Sequence, residues 1–110
     1  MTERLSGYRL VLCNCPPERA AEIAEKVVEE RLAACVNILP GVESVYRWKG
    51  EICRDRESTL LMKTRASLVE ALTRRIVELH PYEVPEVISI VLAGGEGEQR
   101  YFDWIDLVTG

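Results

Sequence analysis

Apolar residues recur in this chain with two different periods, and the order in which these periods alternate constrains the fold more than any other feature. The segments YRLVLCNC, ACVNILPGVESVYRW, TLLMKT and PEVISIVLA are β-prone and largely apolar. Stretches of helical period, residues 20–32 and 68–79, follow the first and the third of these segments. The predicted order is therefore strand, helix, strand, strand, helix, strand.

This order predicts an α+β fold, the ferredoxin-like βαββαβ sandwich, formed by one domain over residues 1–110. Right-handed crossovers place the first and third strands in the middle of an antiparallel sheet, with both long helices on one face. Tyr101, Trp104 and Ile105 recur at helical spacing and predict a C-terminal helix. The other face of the sheet is left uncovered, so we expect the chain to self-associate.

Turn residues predict a long hairpin made by the second and third strands, from Cys35 to Lys63. Lys49-Gly50 is a two-residue turn signal that sets Trp48 opposite Glu51, and Pro40-Gly41 predicts a bulge. The fourth segment, PEVISIVLA, is nearly continuously apolar, which is typical of a strand that is buried on both faces.

Local signals also predict the ends of the second helix. Ser67 and Glu70 have the spacing of a capping box at its start. Pro81 disfavours helical geometry in the residue before it, so the helix must end by Leu79 or His80.

Charge and cysteine content exclude several classes of protein. The formal net charge is -4 and basic residues alternate with acidic ones, which argues against nucleic-acid binding. No apolar segment has the length of a membrane helix, and the start MTERLSGYRL carries no export-signal core. The four cysteines fit no zinc-finger spacing, and we expect them to be reduced thiols in a cytoplasmic protein.

The predicted topology brings the only histidine, His80, to the sheet edge where the first strand ends at Cys13 and Cys15. Thiolate and imidazole together suit copper or zinc, and soft sulfur favours Cu(I). Alternatively, the cysteines only fill space in the core, and His80 only caps the C-terminus of its helix. Both interpretations remain open at this point.

Other side chains near this edge also have two interpretations. Glu83 and Glu86 are either carboxylate ligands or solvated, and Tyr82 and Trp48 either stack on a ligand or pack against another subunit. A thiolate beside an imidazole can act as a nucleophile, but no catalytic or nucleotide-binding motif accompanies the pair. We therefore expect no enzymatic activity.

Several ordered motifs cover nearly the whole chain from Val11 to Trp104: ERLAACVNILPGVESVYRWKGEI, LLMKT, HPYEVPEVI and YFDWI. Together they closely resemble the CutA family of divalent-cation tolerance proteins. The resemblance implies a compact homotrimer whose long strands pair across subunit boundaries. It also implies that Cys13 and His80 are metal ligands, with copper or another divalent cation as the ion.

This chain departs from the family pattern at one site residue. Some members have two adjacent histidines where this chain has Leu79 followed by His80. Cys15, a neighbouring subunit or water would then complete the ligand set. The family also resembles the trimeric PII signalling proteins, which implies a second function: a trimer that senses small ligands or acts as a scaffold, without a physiological metal.

Overall fold

The computed structural model describes residues 7–110 as four strands and three α-helices. Their bounds are β1 Tyr8–Cys15, α1 Ala20–Glu29, β2 Cys35–Trp48, β3 Glu51–Arg65, α2 Val69–Leu79, β4 Ile88–Leu92 and α3 Gln99–Thr109. The predicted order of elements and the α+β class are confirmed. The expectation that the start carries no export signal falls largely on residues 1–6, which lie outside the described residues.

The four strands form one antiparallel sheet in the order β2-β3-β1-β4. β1 and β3 are therefore the central pair, as the right-handed crossover rule predicts. Alternate residues of β1 are buried, namely Val11, Cys13 and Cys15, and they pack in one core with side chains of both long helices. The helical contributions to that core are Ala20, Ile23, Val27, Leu72 and Ile76.

The long hairpin of β2 and β3 has the predicted turn and bulge. Trp48 pairs with Glu51 across the turn, and Lys49 and Gly50 have φ angles of 50° and 82°. Two successive residues with positive φ match the right-handed twist of the flanking strands. The register shifts between Leu39 and Val42, where Gly41 has a φ of 73°.

The capping box predicted at the start of α2 is wrong. Ser67 lies inside a short 3-10 turn, Ala66–Leu68, and the cap position of α2 is taken by Leu68 without a side-chain hydrogen bond. A capping hydroxyl must precede the first helical residue, and the 3-10 turn moves Ser67 out of that position. The predicted end of α2 is confirmed, because His80 has the extended backbone that Pro81 requires.

The prediction that β4 is buried on both faces is wrong for the single chain. β4 is an edge strand, and Ile88, Ile90 and Val91 are 55%, 50% and 68% exposed. The segment is apolar, but among residues 7–110 no strand pairs with the outer edge of β4, and its side chains stay exposed. Within residues 7–110, the longest helices have 11 residues, and none is long and apolar enough to cross a membrane.

Candidate functional site

His80 lies directly after α2 and contacts the end of β1, as the topology predicts. Its Nε2 atom is 2.7 Å from the backbone oxygen of Asn14, and the backbone N–H of Tyr82 donates to its Nδ1 atom at 3.2 Å. Because a backbone N–H can only donate, Nδ1 is unprotonated and Nε2 carries the proton that it donates to Asn14. This hydrogen-bond pattern is that of the Nε2–H tautomer, and His80 occupies the C-cap position of α2.

Cys13 contacts the same backbone oxygen of Asn14. Its Sγ atom lies 3.7 Å from the oxygen of Asn14, and the side chain is fully buried. Burial, with smaller contributions from Cys15, Glu86 and Glu57, raises the pKa of the Cys13 thiol to about 12. The thiol is therefore protonated at neutral pH.

Cys15 is also buried, on the same face of β1 as Cys13. Burial raises its pKa as well. Cys35 and Cys53 lie on β2 and β3 and are only partly buried. Cys13 and Cys15 therefore pack in the core, and this burial is compatible with a space-filling role and with a ligand role.

The donor atoms of Cys13 and His80 fit a soft or borderline metal ion by their chemistry, because thiolate and imidazole are ligands that copper and zinc accept. An ion would have to displace the thiol proton and move the imidazole proton from Nε2 to Nδ1. Residues 7–110 contain no group of three or more His, Cys, Asp or Glu side chains that could hold a metal. Cys15 does not complete such a group, so a second subunit or water would have to supply the remaining ligands.

Next to His80, a cavity of about 560 Å³ opens between the β2–β3 hairpin and the segment that follows α2. It is lined by Asn14, Ser44, Val45, Tyr46, Trp48, Glu57, Tyr82, Glu83, Val84 and Glu86. Four of these residues are candidate site residues predicted from the sequence, and the structure brings them together: Trp48, Tyr82, Glu83 and Glu86. We refer to this space as the hairpin cavity.

Glu57 is the charged residue of the hairpin cavity that the sequence did not indicate. It stands in the polar run CRDRES, which is typical of a solvated strand, yet it is only 5% exposed. The hydroxyl of Tyr82 donates to its Oε2 atom at 2.6 Å. Burial and this hydrogen bond raise the pKa of Tyr82, so the phenol stays protonated and keeps donating. No sequence signal indicates this pairing.

Tyr82 connects the two parts of the site. Its backbone N–H donates to His80, its hydroxyl donates to Glu57, and its ring centroid lies 4.6 Å from that of His80. The orientation of the imidazole and the wall of the hairpin cavity therefore depend on one residue.

We expect Tyr82→Phe to lower the free energy of unfolding by about 1 kcal/mol, because it leaves the buried Glu57 carboxylate without its hydroxyl donor. Denaturant titrations of both proteins at one protein concentration would measure the difference. Tyr101→Phe on α3 serves as the matched control, because the hydroxyl of this exposed tyrosine is paired with the Cys35 thiol and not with a buried carboxylate. An unchanged midpoint in Tyr82→Phe would contradict a stabilising role for the Tyr82 hydroxyl.

Comparison with known proteins gives a consistent result. The family model described as CutA1 divalent ion tolerance protein matches residues 9–107. The Divalent-cation tolerance protein CutA of Thermus thermophilus is 48% identical over 102 residues, which cover 92% of this chain and 97% of that protein. Protein CutA of Mus musculus is 49% identical over 97 residues, which cover 87% of this chain and 54% of the mouse protein. The chain thus spans about half the length of the mouse relative.

Among solved structures, the PII-like protein CutA from Nostoc sp. PCC 7120, in its apo form, superposes on this chain with a TM-score of 0.88. The two chains are 43% identical, and the superposition covers 93% of this chain and 97% of the other.

Proposed function

Since the chain belongs to the CutA1 divalent ion tolerance family, we propose that it is a homotrimeric, cytoplasmic metal-binding protein that contributes to divalent-cation homeostasis without catalysis. Each subunit is one domain over residues 1–110. The proposed ligands are Cys13 and His80, and the proposed ion is copper or another divalent cation. One observation carries this proposal: Cys13 Sγ and His80 Nε2 lie 3.7 Å and 2.7 Å from the same backbone oxygen of Asn14.

The homotrimer is supported by surfaces that the single chain leaves uncovered. Ile88 and Ile90 expose half or more of their surface on the edge strand β4, and Ile52 is 60% exposed on the hairpin. An exposed apolar edge is a site where another chain pairs or packs. A neighbouring subunit is also the proposed source of the metal ligands that one chain lacks.

Titration of the purified, reduced protein with Cu(I) and with Cu(II) tests the metal site. We expect Cys13→Ala and His80→Ala each to weaken binding by about a hundredfold or more, because each removes one of two identified donors. Cys53→Ala is the matched control, since it removes a thiol from a polar strand outside the site. Unchanged stoichiometry and affinity in both site variants would exclude these ligands.

A second candidate function is a ligand-sensing or scaffold trimer of the PII type, without a physiological metal. The hairpin cavity favours it, because about 560 Å³ is the volume of a small-molecule site and three aromatic side chains line it. Mass spectrometry of small molecules released by denaturing untagged protein would test this function. Recovery of metal ions alone, in proportion to the subunits, would contradict it.

A further inference from the structure

Carboxylates and aromatic rings line the hairpin cavity, and together they favour one class of ligand. We propose that the cavity binds a small organic cation carrying an ammonium group. The proposal rests on the second candidate function, ligand binding by the trimer, and adds the chemical class of the ligand. It concerns the hairpin cavity and assigns no role to the proposed metal ligands.

Among residues 7–110, the charged side chains that line the hairpin cavity are all carboxylates, namely Glu57, Glu83 and Glu86, without a lysine, arginine or histidine. Like charges at the wall of a partly enclosed space repel an anion and attract a cation. A phosphate or carboxylate ligand is therefore disfavoured here.

Glu57 makes this preference specific. Its carboxylate is buried, with Tyr82 as the hydrogen-bond donor at 2.6 Å, and it forms no ion pair with a cationic side chain of residues 7–110. Burial of a carboxylate costs free energy, and a counter-charge that also donates a hydrogen bond reduces this cost. A ligand ammonium at the cavity wall would supply that counter-charge through a charge-assisted hydrogen bond.

The remaining walls also suit an organic cation. Tyr46, Trp48 and Tyr82 line the cavity, and the faces of such rings attract ammonium groups. An ammonium already lies near one of them, since the Nζ atom of Lys49 is 5.8 Å from the ring centroid of Trp48. The hydroxyls of Tyr46 and Tyr82 donate to Asp55 and Glu57, which orients both phenols.

A bare metal ion fits this cavity less well than an organic cation. The three lining carboxylates do not come together as a group that could hold a metal in the described part of the chain. The volume of about 560 Å³ is also that of a small molecule, because ligand pockets begin at roughly 300 Å³.

Binding of matched small probes to the metal-free, full-length protein tests the proposal. The ammonium probes are choline and ethanolamine; 3,3-dimethylbutan-1-ol is the neutral isostere of choline, and 3,3-dimethylbutanoate is its anionic counterpart. Titration calorimetry with ligand-observed NMR would measure the affinities. We expect an ammonium probe to bind about tenfold or more tightly than the neutral isostere, and its affinity to fall with added salt.

Variants of the lining residues test where the ammonium group binds in the hairpin cavity. We expect Glu57→Gln to weaken ammonium binding about tenfold, the loss of one charge-assisted interaction, while the amide oxygen still accepts from Tyr82. Trp48→Leu is expected to weaken it about fivefold by removing a cation–π surface. Glu25→Gln, an exposed carboxylate on α1, is the matched control and should bind as the unmodified protein does.

The outcomes separate this proposal from the function on which it rests. If the neutral or anionic probe binds as tightly as the ammonium probes, or an anion co-purifies in the cavity, the cation proposal is wrong while ligand binding stands. If neither ammonium probe binds, the cation proposal is also wrong, and absence of any co-purified small molecule would then remove the ligand-binding function as well. Equal binding by Glu57→Gln, with folding verified by circular dichroism, would exclude Glu57 as the cation's partner.

Discussion

Replacing Ile90 with aspartate is expected to convert the proposed homotrimer into a monomer. Ile90 is 50% exposed on β4 and pairs with Leu10 of β1, on the face opposite to the one that Val11 and Cys13 present to the helices. An aspartate there places a charge on an apolar surface that association would bury, which costs several kcal/mol for each unpaired charge. Because the change occurs in every subunit of a symmetric trimer, the penalty is repeated at each interface.

Light scattering at micromolar concentration measures this prediction directly, with a threefold fall in mass as the expected result. Val77→Asp is the matched control, since Val77 is 51% exposed but lies on α2, away from the open face of the sheet. The control should keep the mass of the unmodified protein. A trimer that persists in Ile90→Asp would show that the open sheet face is not the interface.

Metal affinity at the proposed site is expected to rise about tenfold for each pH unit between about pH 7 and pH 9. Burial raises the pKa of Cys13 to about 12, so the thiol is protonated throughout this range and must lose its proton when the ion binds. The hydrogen bonds of His80 match the Nε2–H tautomer, and binding of an ion at Nε2 transfers that proton to Nδ1 without releasing another. One proton is therefore released for each ion, and higher pH favours binding.

Competition with a chromogenic Cu(I) chelator, corrected for the chelator's own protonation, would measure this slope. The dependence of metal affinity on pH should be absent in Cys13→Ala and unchanged in Cys53→Ala. An affinity that stays constant across the range would indicate that the ion binds without the Cys13 thiolate. Transfer of the imidazole proton to Nδ1 would also remove the hydrogen bond from the backbone N–H of Tyr82, because a protonated Nδ1 cannot accept it.

Much of the fold follows from the sequence by itself, because its signals act over a few residues. Pro81 ends α2 through its effect on the residue before it, and Lys49-Gly50 makes the hairpin turn because glycine tolerates positive φ. The spacing of apolar residues identifies which face of each helix is buried. The Ser67 capping box failed because a 3-10 turn displaced the helix start, a shift that depends on how the end of β3 leads into α2.

The candidate site was only partly predictable, because its contacts join residues that are distant in the chain. Crossover rules bring His80 to the end of β1, but only the packed structure decides that Nε2 donates to Asn14 and Nδ1 accepts from Tyr82. The polar run around Glu57 predicts a solvated side chain, whereas the phenol that donates to its carboxylate comes from a segment 25 residues away.

The sequence by itself determined the elements, their order and the apolar character of β4, since these depend on local backbone preference and periodicity. Only the tertiary structure decided that β4 is an edge strand with exposed isoleucines, that Cys13 and His80 meet at one carbonyl oxygen, and that Glu57 is buried beside the hairpin cavity. Burial and hydrogen-bond partners are properties of residues that are distant in the chain, so they exist only after those residues have been brought together.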